Sequence, residues 1–374
     1  MWLGAWICLL VWGVVTTQIL PVIYSNAGTS ELAAYDQFAR GWARLPGVKA
    51  ILSPWLRWDT TWYLIIAKYG YQARQASTAF PPLYPLATRL VGQILGGQYL
   101  LGALLVSWSA FFGACYLLVD WIKAEKMQVL ESRVIQFMLF FPTGFFFFAG
   151  YTESLFLLFA LLGWRFAIRG KWVLTGILGA LAILTRFIGV CLFIPFLSIF
   201  WDQFRAGKTR WTSVLWLGLM PAAYIGWSWY SRIVYGVMPS DALHLNWAQH
   251  FDWPWIGLLG SIEAILTRPI SDVYFAYIDL IVVGIAVFST GYLLREKKVP
   301  EGLFVLAVLL ISLVKVTDQG LLGSVGRFLI PVFPLYLYQP KILEKSIVAR
   351  LILYVSISLW LMSSAMFFTW NWIA

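Results

Sequence analysis

Charge is scarce in this chain. Of 374 residues only 12% are charged and 61% are hydrophobic, where soluble domains carry about 25% charged and roughly 45–50% apolar residues. Mean hydropathy is +0.77, which is more apolar surface than a single water-soluble globule buries and leaves the polytopic membrane class. Histidine is limited to His244 and His250, and cysteine to Cys8, Cys115 and Cys191. Each cysteine lies alone in an apolar run, so no disulfide framework or metal-ligand spacing is present, and the three read as small buried hydrophobes. The sequence has no Gly-rich phosphate loop ending in Lys-Ser or Lys-Thr, no dinucleotide-binding fingerprint, no serine nucleophile elbow and no solenoid-type repeat. The formal charge of +10 is spread among loops. That spread fits membrane topology, and no nucleic-acid partner is expected.

Apolar runs of crossing length, about 17–25 residues when helical, occupy 2–24, 100–122, 211–233, 273–294 and 347–369. Shorter or Pro/Gly-interrupted runs lie at 129–150, 153–166, 172–185, 187–200, 302–315 and 326–339. The first run lacks a basic n-region and continues to Tyr24, so it reads as an uncleaved span. Basic residues gather in short loops around Lys123, Arg169, Lys208, Lys297 and Lys341 to Lys345, and short basic loops stay cytoplasmic. All of them lie inside together if 80–97, with Pro81, Pro82 and Pro85, runs along the outer surface without crossing.

The expected fold is therefore all-α, a polytopic transmembrane helical bundle of about 11 spans. It forms a single domain over 1–374, with the N-terminus cytoplasmic and long outer loops at about 25–99 and 235–272. The apolar stretch inside 171–208 is too long for one ordinary span and too short for two, which predicts two short helices meeting at 185–189 around Arg186. Leu32, Tyr35, Phe38 and Trp42 recur at helical spacing with Arg40 and Arg44 between them, the pattern of an interfacial helix over 30–45.

This topology places Asp59, Glu153, Arg186 and Arg327 on one outward side. Asp59 sits among Arg57, Trp58, Trp62 and Tyr63. A carboxylate there suits a general base that takes a hydroxyl proton, while on spacing alone Asp before Thr-Thr-Trp-Tyr-Leu favours a helix N-cap. Arg186 and Arg327 lie at the ends of apolar helices, where an ionisable residue is costly and a planar guanidinium suits a phosphate; snorkelling to headgroups is the alternative. Glu153 after Thr152 caps the following helix or orients an arginine. His244 and His250 lack metal spacing and read as solvent-exposed or substrate-lining. Lys315 and Asp318 flank an outer turn across which they are placed to pair.

Several stretches, in order, resemble the PIG-V-type mannosyltransferases of the GT-C superfamily of membrane glycosyltransferases. They are RWDTTWYLIIAKYGY at 57–71, AFPPLYPLATRLVG at 79–92, FPTGFFFFAGYTESLFLLFALLGW at 141–164, LTRFIGV at 184–190 and SVGRFLIPVFPLY at 324–336. Weaker matches are YGVMP at 235–239 and NWAQHFDWPW at 246–255. The resemblance implies a GT-C-like fold and transfer of a sugar, typically mannose, from a polyprenyl-phosphate donor to a hydroxyl of a lipid or glycan acceptor. The reaction would run at the outer face with inversion, in glycolipid biosynthesis, and no cofactor is evident, a metal requirement being left open. It puts the base on Asp59. Arg186 and Arg327 are inferred for the donor phosphate, with Arg57, Trp58, Trp62, Tyr63, Tyr151, Glu153, His244 and His250 as substrate-lining candidates. Phe80-Pro81-Pro82 stands where eukaryotic members tend to show Phe-Phe-Pro, and the first-loop motif holds one acidic residue instead of an Asp-Glu pair. A bacterial or archaeal relative in the cell membrane is therefore expected, and the GPI-pathway acceptor is not carried over. The alternative is a lipid-linked sugar flippase or transporter, which would place ionisable residues near the midplane of several spans.

Overall fold

The computed structural model describes residues 2–20, 31–73, 75–127, 131–247, 249–338 and 346–371. The end of the first apolar run at Tyr24, the start of the 129–150 run, Lys341 and Lys345, and the side chain of Leu32 lie outside the description.

Helices dominate. Trp2–Ile19 packs against Ser346–Phe368, joined by Trp12 Nε1 donating to the Leu361 carbonyl at 3.1 Å. Tyr99–Ala124, Glu153–Ile168, Trp172–Thr185 and Leu219–Tyr235 form a packed series, and Phe193–Arg205, Ile270–Arg295 and Val299–Val314 complete the bundle. Among the described residues, four helical segments are long and apolar enough to cross a membrane: Tyr99–Ala124, Phe187–Arg205, Asp272–Arg295 and Ile347–Phe368. Leu3–Ile19, Trp172–Thr185, Pro254–Thr267 and Val299–Val314 are shorter apolar helices.

Three of the apolar runs are broken, two of them at prolines. In 129–150, Glu131–Leu139 stops ahead of Pro142, and Gly144–Phe147 forms a 3-10 turn whose phenylalanines are buried. In 326–339, Val325–Leu329 and Pro334–Leu337 are separate, with Pro331 between them. Proline removes a backbone donor and clashes with the preceding turn, so each run breaks there. The 211–233 run opens as a 3-10 segment, Trp211–Gly218, before Leu219–Tyr235 begins.

The first long loop is a series of short helices: Glu31–Phe38, Pro46–Leu52, Asp59–Tyr69 and Leu83–Ile94. The interfacial pattern over 30–45 ends sooner than its spacing suggests. Gly41 takes φ +51, Gly41–Arg44 is a 3-10 turn, and Trp42 is exposed while Tyr35 and Phe38 are buried. Leu83–Ile94, at 12 residues, is shorter than a crossing and packs along Tyr99–Ala124. There a Cβ at Gly102 would stand 2.8 Å from the Gly92 nitrogen, and one at Gly92 would stand 2.8 Å from the Tyr99 ring.

The second long loop contains helices as well, Pro239–Trp247 and Pro254–Thr267. Between them β1, Gln249–Phe251, pairs antiparallel with β2, Lys315–Thr317, an element that helical periodicity does not reveal. Pro254–Thr267 seats on the same 315–322 turn, where the Leu322 N–H donates to Ser261 Oγ at 3.0 Å.

Candidate active site

A sharp turn starts the site. Trp58 adopts φ 48, a conformation that costs a non-glycine residue energy and concentrates at functional sites. The following helix, Asp59–Tyr69, is anchored as the Thr60 and Thr61 N–H groups return to the carbonyls of Arg57 and Trp58. Asp59 is the first helical residue, and its side chain makes no cap bond. Its backbone N–H donates to Tyr151 Oη at 3.2 Å, and its Oδ2 accepts from Arg327 Nη1 at 2.5 Å. The N-cap reading of Asp59 is corrected accordingly: the carboxylate faces an arginine from the far end of the chain.

Close approach is built in at Gly150, where a Cβ would stand 3.0 Å from Thr60 Cγ2. This lets the Tyr151, Thr152 and Glu153 segment lie against the Asp59 helix. Glu153 is fully buried and, like Asp59, makes no cap bond. Its Oε1 accepts from Arg327 Nε at 2.5 Å and pairs with Arg186 Nη1. Arg186 Nη1 also donates to Thr152 Oγ1 at 3.1 Å. A carboxylate buried this completely is tolerable only with such partners.

Arg186 stands where the 171–208 stretch breaks. Trp172–Thr185 ends, Arg186 is extended at φ −153, and Phe187–Leu192 turns into Phe193–Arg205. Arg327 is held by a separate device. Ser324 takes φ 66, the Gly326 N–H donates to Asp279 Oδ1 at 2.7 Å, and Thr143 Oγ1 donates to the Gly326 carbonyl at 2.9 Å. A Cβ at Gly326 would press on Thr143 at 3.2 Å. The Arg327 guanidinium then lies over the Tyr151 ring, 4.5 Å from its centroid.

These groups open on a cavity of about 450 Å³. Its polar lining includes Asp59, Thr152, Arg186, Lys315, Ser324 and Arg327, and its apolar lining includes Phe187, Ile188, Val190, Ile311 and Phe328. Val190 and Tyr224, which also line it, are exposed. The arrangement brings an acid with one free oxygen next to two guanidinium groups and an apolar slot. Asp59 Oδ1 has no hydrogen bond among the described residues, and the buried Arg186 Nε has none either. No cluster of three or more His, Cys, Asp or Glu suited to a metal occurs among the described residues.

The remaining candidates divide. Tyr63 lines the cavity. Tyr151 and Glu153 do not; they form the layer beneath, supporting Asp59 and the arginines. Trp62 stacks behind the wall on Phe80, at 5.7 Å, and on Trp247, at 5.2 Å. Arg57 and Trp58 are corrected as lining residues because the turn at Trp58 sends them the other way. Arg57 Nε donates to the Phe368 carbonyl at 2.9 Å and its guanidinium lies over Trp370, against which Trp58 also packs. They tie the first loop to the last helix.

His244 and His250 line an adjoining depression of about 390 Å³ that shares Leu243, Gln249, Phe251 and Lys315 with the cavity. The expected Lys315 to Asp318 pair is replaced, since Asp318 Oδ1 meets His250 Nδ1 at 3.2 Å. Sequence reasoning missed Lys315 as a cavity residue and Asp279 as the support for Arg327. A lone acid in the middle of the apolar 273–294 run was the available signal for Asp279.

The chain is 31% identical over 150 residues to GPI mannosyltransferase 2 of Schizosaccharomyces pombe, a stretch that covers 39% of this chain and 32% of that protein. The chain thus matches about a third of the length of that relative. No protein-family model matches the chain, and no solved structure matches it.

Proposed function

We propose that the chain is a membrane mannosyltransferase that uses a polyprenyl-phosphate sugar and an acceptor hydroxyl at the outer face. The observation that carries this reading is the shared cavity. Asp59, Arg186 and Arg327 come from distant parts of the sequence to line it together with apolar side chains that include Phe187, Ile188, Val190, Ile311 and Phe328. A donor with a charged phosphate, a polar sugar and a hydrocarbon chain matches that mixed lining. The partial likeness to a GPI mannosyltransferase supports the same class.

In this reading Asp59 Oδ1 takes the acceptor hydroxyl proton while the acceptor oxygen forms its bond to the sugar C1. The bond between C1 and the phosphate oxygen breaks, and the electron pair leaves with the lipid phosphate. Attack opposite the leaving group inverts C1. The proton passes from Asp59 to solvent at the end of the cycle. Arg186 and Arg327 stabilise the phosphate as its charge grows, a preorganised role because Glu153 already fixes both guanidinium groups. In this reading the basic loops lie inside and the cavity opens outside.

The test is transfer of labelled mannose from polyprenyl-phosphate mannose in membranes that contain the protein. Formation of a glycosidic bond is expected. Movement of the lipid-linked sugar across vesicles with no bond formed would replace this reading with a flippase.

A further inference from the structure

The two arginines of the cavity are largely spent. Arg327 is bound to both Asp59 and Glu153, and Arg186 to Glu153, so two carboxylates offset two guanidinium groups in the same network. Lys315 differs. It is partly buried at the end of Val299–Val314, where β2 opens, and it lines both the main cavity and the adjoining depression. Its Nζ lies 4.4 Å from the Phe328 ring centroid and has no hydrogen bond or ion pair among the described residues. Asp318, the nearest acid in sequence, is committed to His250. The lysine is held in place by pairing of its strand, with Phe251 opposite Lys315.

We propose that Lys315 binds the phosphate of the isoprenoid lipid directly, supplying a positive charge to the cavity that no ion pair among the described residues engages. This rests on the lipid-phosphate donor of the preceding section and adds a residue to it. An ammonium has three donors and no fixed plane, so it follows a phosphate as the group changes from a diester to a departing monoester. That change adds negative charge, since a phosphomonoester carries about −1.5 to −2 at neutral pH. The charged groups facing Lys315 are Arg327, Arg186, Asp59 and Asp279, with Asp241, His244 and His250 around the depression. Burial, then Arg327 and Arg186, push the ammonium pKa down to about 7. Lys315 is thus charged below about pH 7 and loses its proton above it, in a range where the second ionisation of a phosphomonoester, near 6, is already complete.

The experiment measures binding of farnesyl phosphate and of farnesol to the purified full chain in detergent. Wild type is expected to bind farnesyl phosphate more weakly as pH rises through about 7. Lys315→Met is expected to bind it roughly 10- to 100-fold more weakly at the acidic end, with the pH step gone. Lys315→Arg is expected to retain the affinity and lose the step, because a guanidinium stays charged. Farnesol binding is expected to be equal in all three. Equal farnesyl phosphate binding in wild type and Lys315→Met would overturn the proposal, as would an equal loss of farnesol binding, which marks a structural defect. If mannose transfer is absent while farnesyl phosphate binding depends on Lys315, the transferase reading fails and this one stands. If transfer proceeds and Lys315→Met binds as wild type, only this one fails.

Discussion

Replacing Glu153 by alanine is expected to damage the protein in a way that separates charge balance from packing. Glu153 is fully buried, and its single oxygen Oε1 joins Arg186 to Arg327. Removing it leaves two guanidinium groups facing each other, with Asp59 as the remaining carboxylate partner of Arg327. Deleting one partner of a buried ion pair costs about 3–5 kcal/mol because the other charge is stranded. Glu153→Ala is therefore expected to lose about that much in a sodium dodecyl sulfate unfolding titration in mixed micelles. Simultaneous replacement of Glu153 by Leu, of Arg186 and Arg327 by Met and of Asp59 by Asn removes all four charges of the network while roughly keeping volume. Such replacements of a whole buried ion network are often neutral or stabilising, by about 1–4 kcal/mol at best. The quadruple variant is expected to recover the stability that Glu153→Ala loses and to remain without transfer activity. Unfolding of Glu153→Ala at the wild-type midpoint would show that the buried triad does not hold this end of the bundle, and would refute the reasoning.

Two further substitutions probe the supports of the site. Gly150→Val puts side-chain atoms where Thr60 already sits, at 3.0 Å from an added Cβ, and overpacking of this kind costs about 1–3 kcal/mol. Displacement of the Asp59 helix is expected to lower kcat for mannose transfer with little change in farnesyl phosphate binding; an unchanged kcat would refute the close-approach role. Arg57→Leu removes the bond to the Phe368 carbonyl, and bonds made by charged groups contribute about 1.5–3 kcal/mol. It is expected to lower the thermal midpoint while leaving the donor KM unchanged, whereas a raised KM in a stable variant would return Arg57 to the cavity wall.

The grouping of four charged residues was legible. The expected topology put Asp59, Glu153, Arg186 and Arg327 together, and the structure joins these four side chains in one ion-pair network. The break at Arg186 was legible from the length of the apolar stretch alone. The roles within 57–63 were not, since Arg57, Trp58 and Asp59 are neighbours of similar promise. Which of them faces the cavity is decided by the backbone angle at Trp58, a property that residue type does not encode. Lys315 was illegible for another reason: its position depends on β1 and β2, two strands of three residues brought together across more than sixty positions of sequence. Of the alternatives open for Asp59 and Glu153, capping is the one the contacts exclude, since each side chain takes an arginine, the stronger partner.

The most direct test of the account is Asp59→Asn in the labelled-mannose transfer assay. The asparagine keeps the size of the side chain and a hydrogen-bond acceptor for Arg327 but cannot take the acceptor proton. General-base catalysis contributes typically 10²- to 10⁴-fold, so transfer is expected to fall by about that factor in a protein that still folds and still binds farnesyl phosphate. Wild-type transfer by a folded Asp59→Asn protein would contradict the assignment of Asp59 as the base.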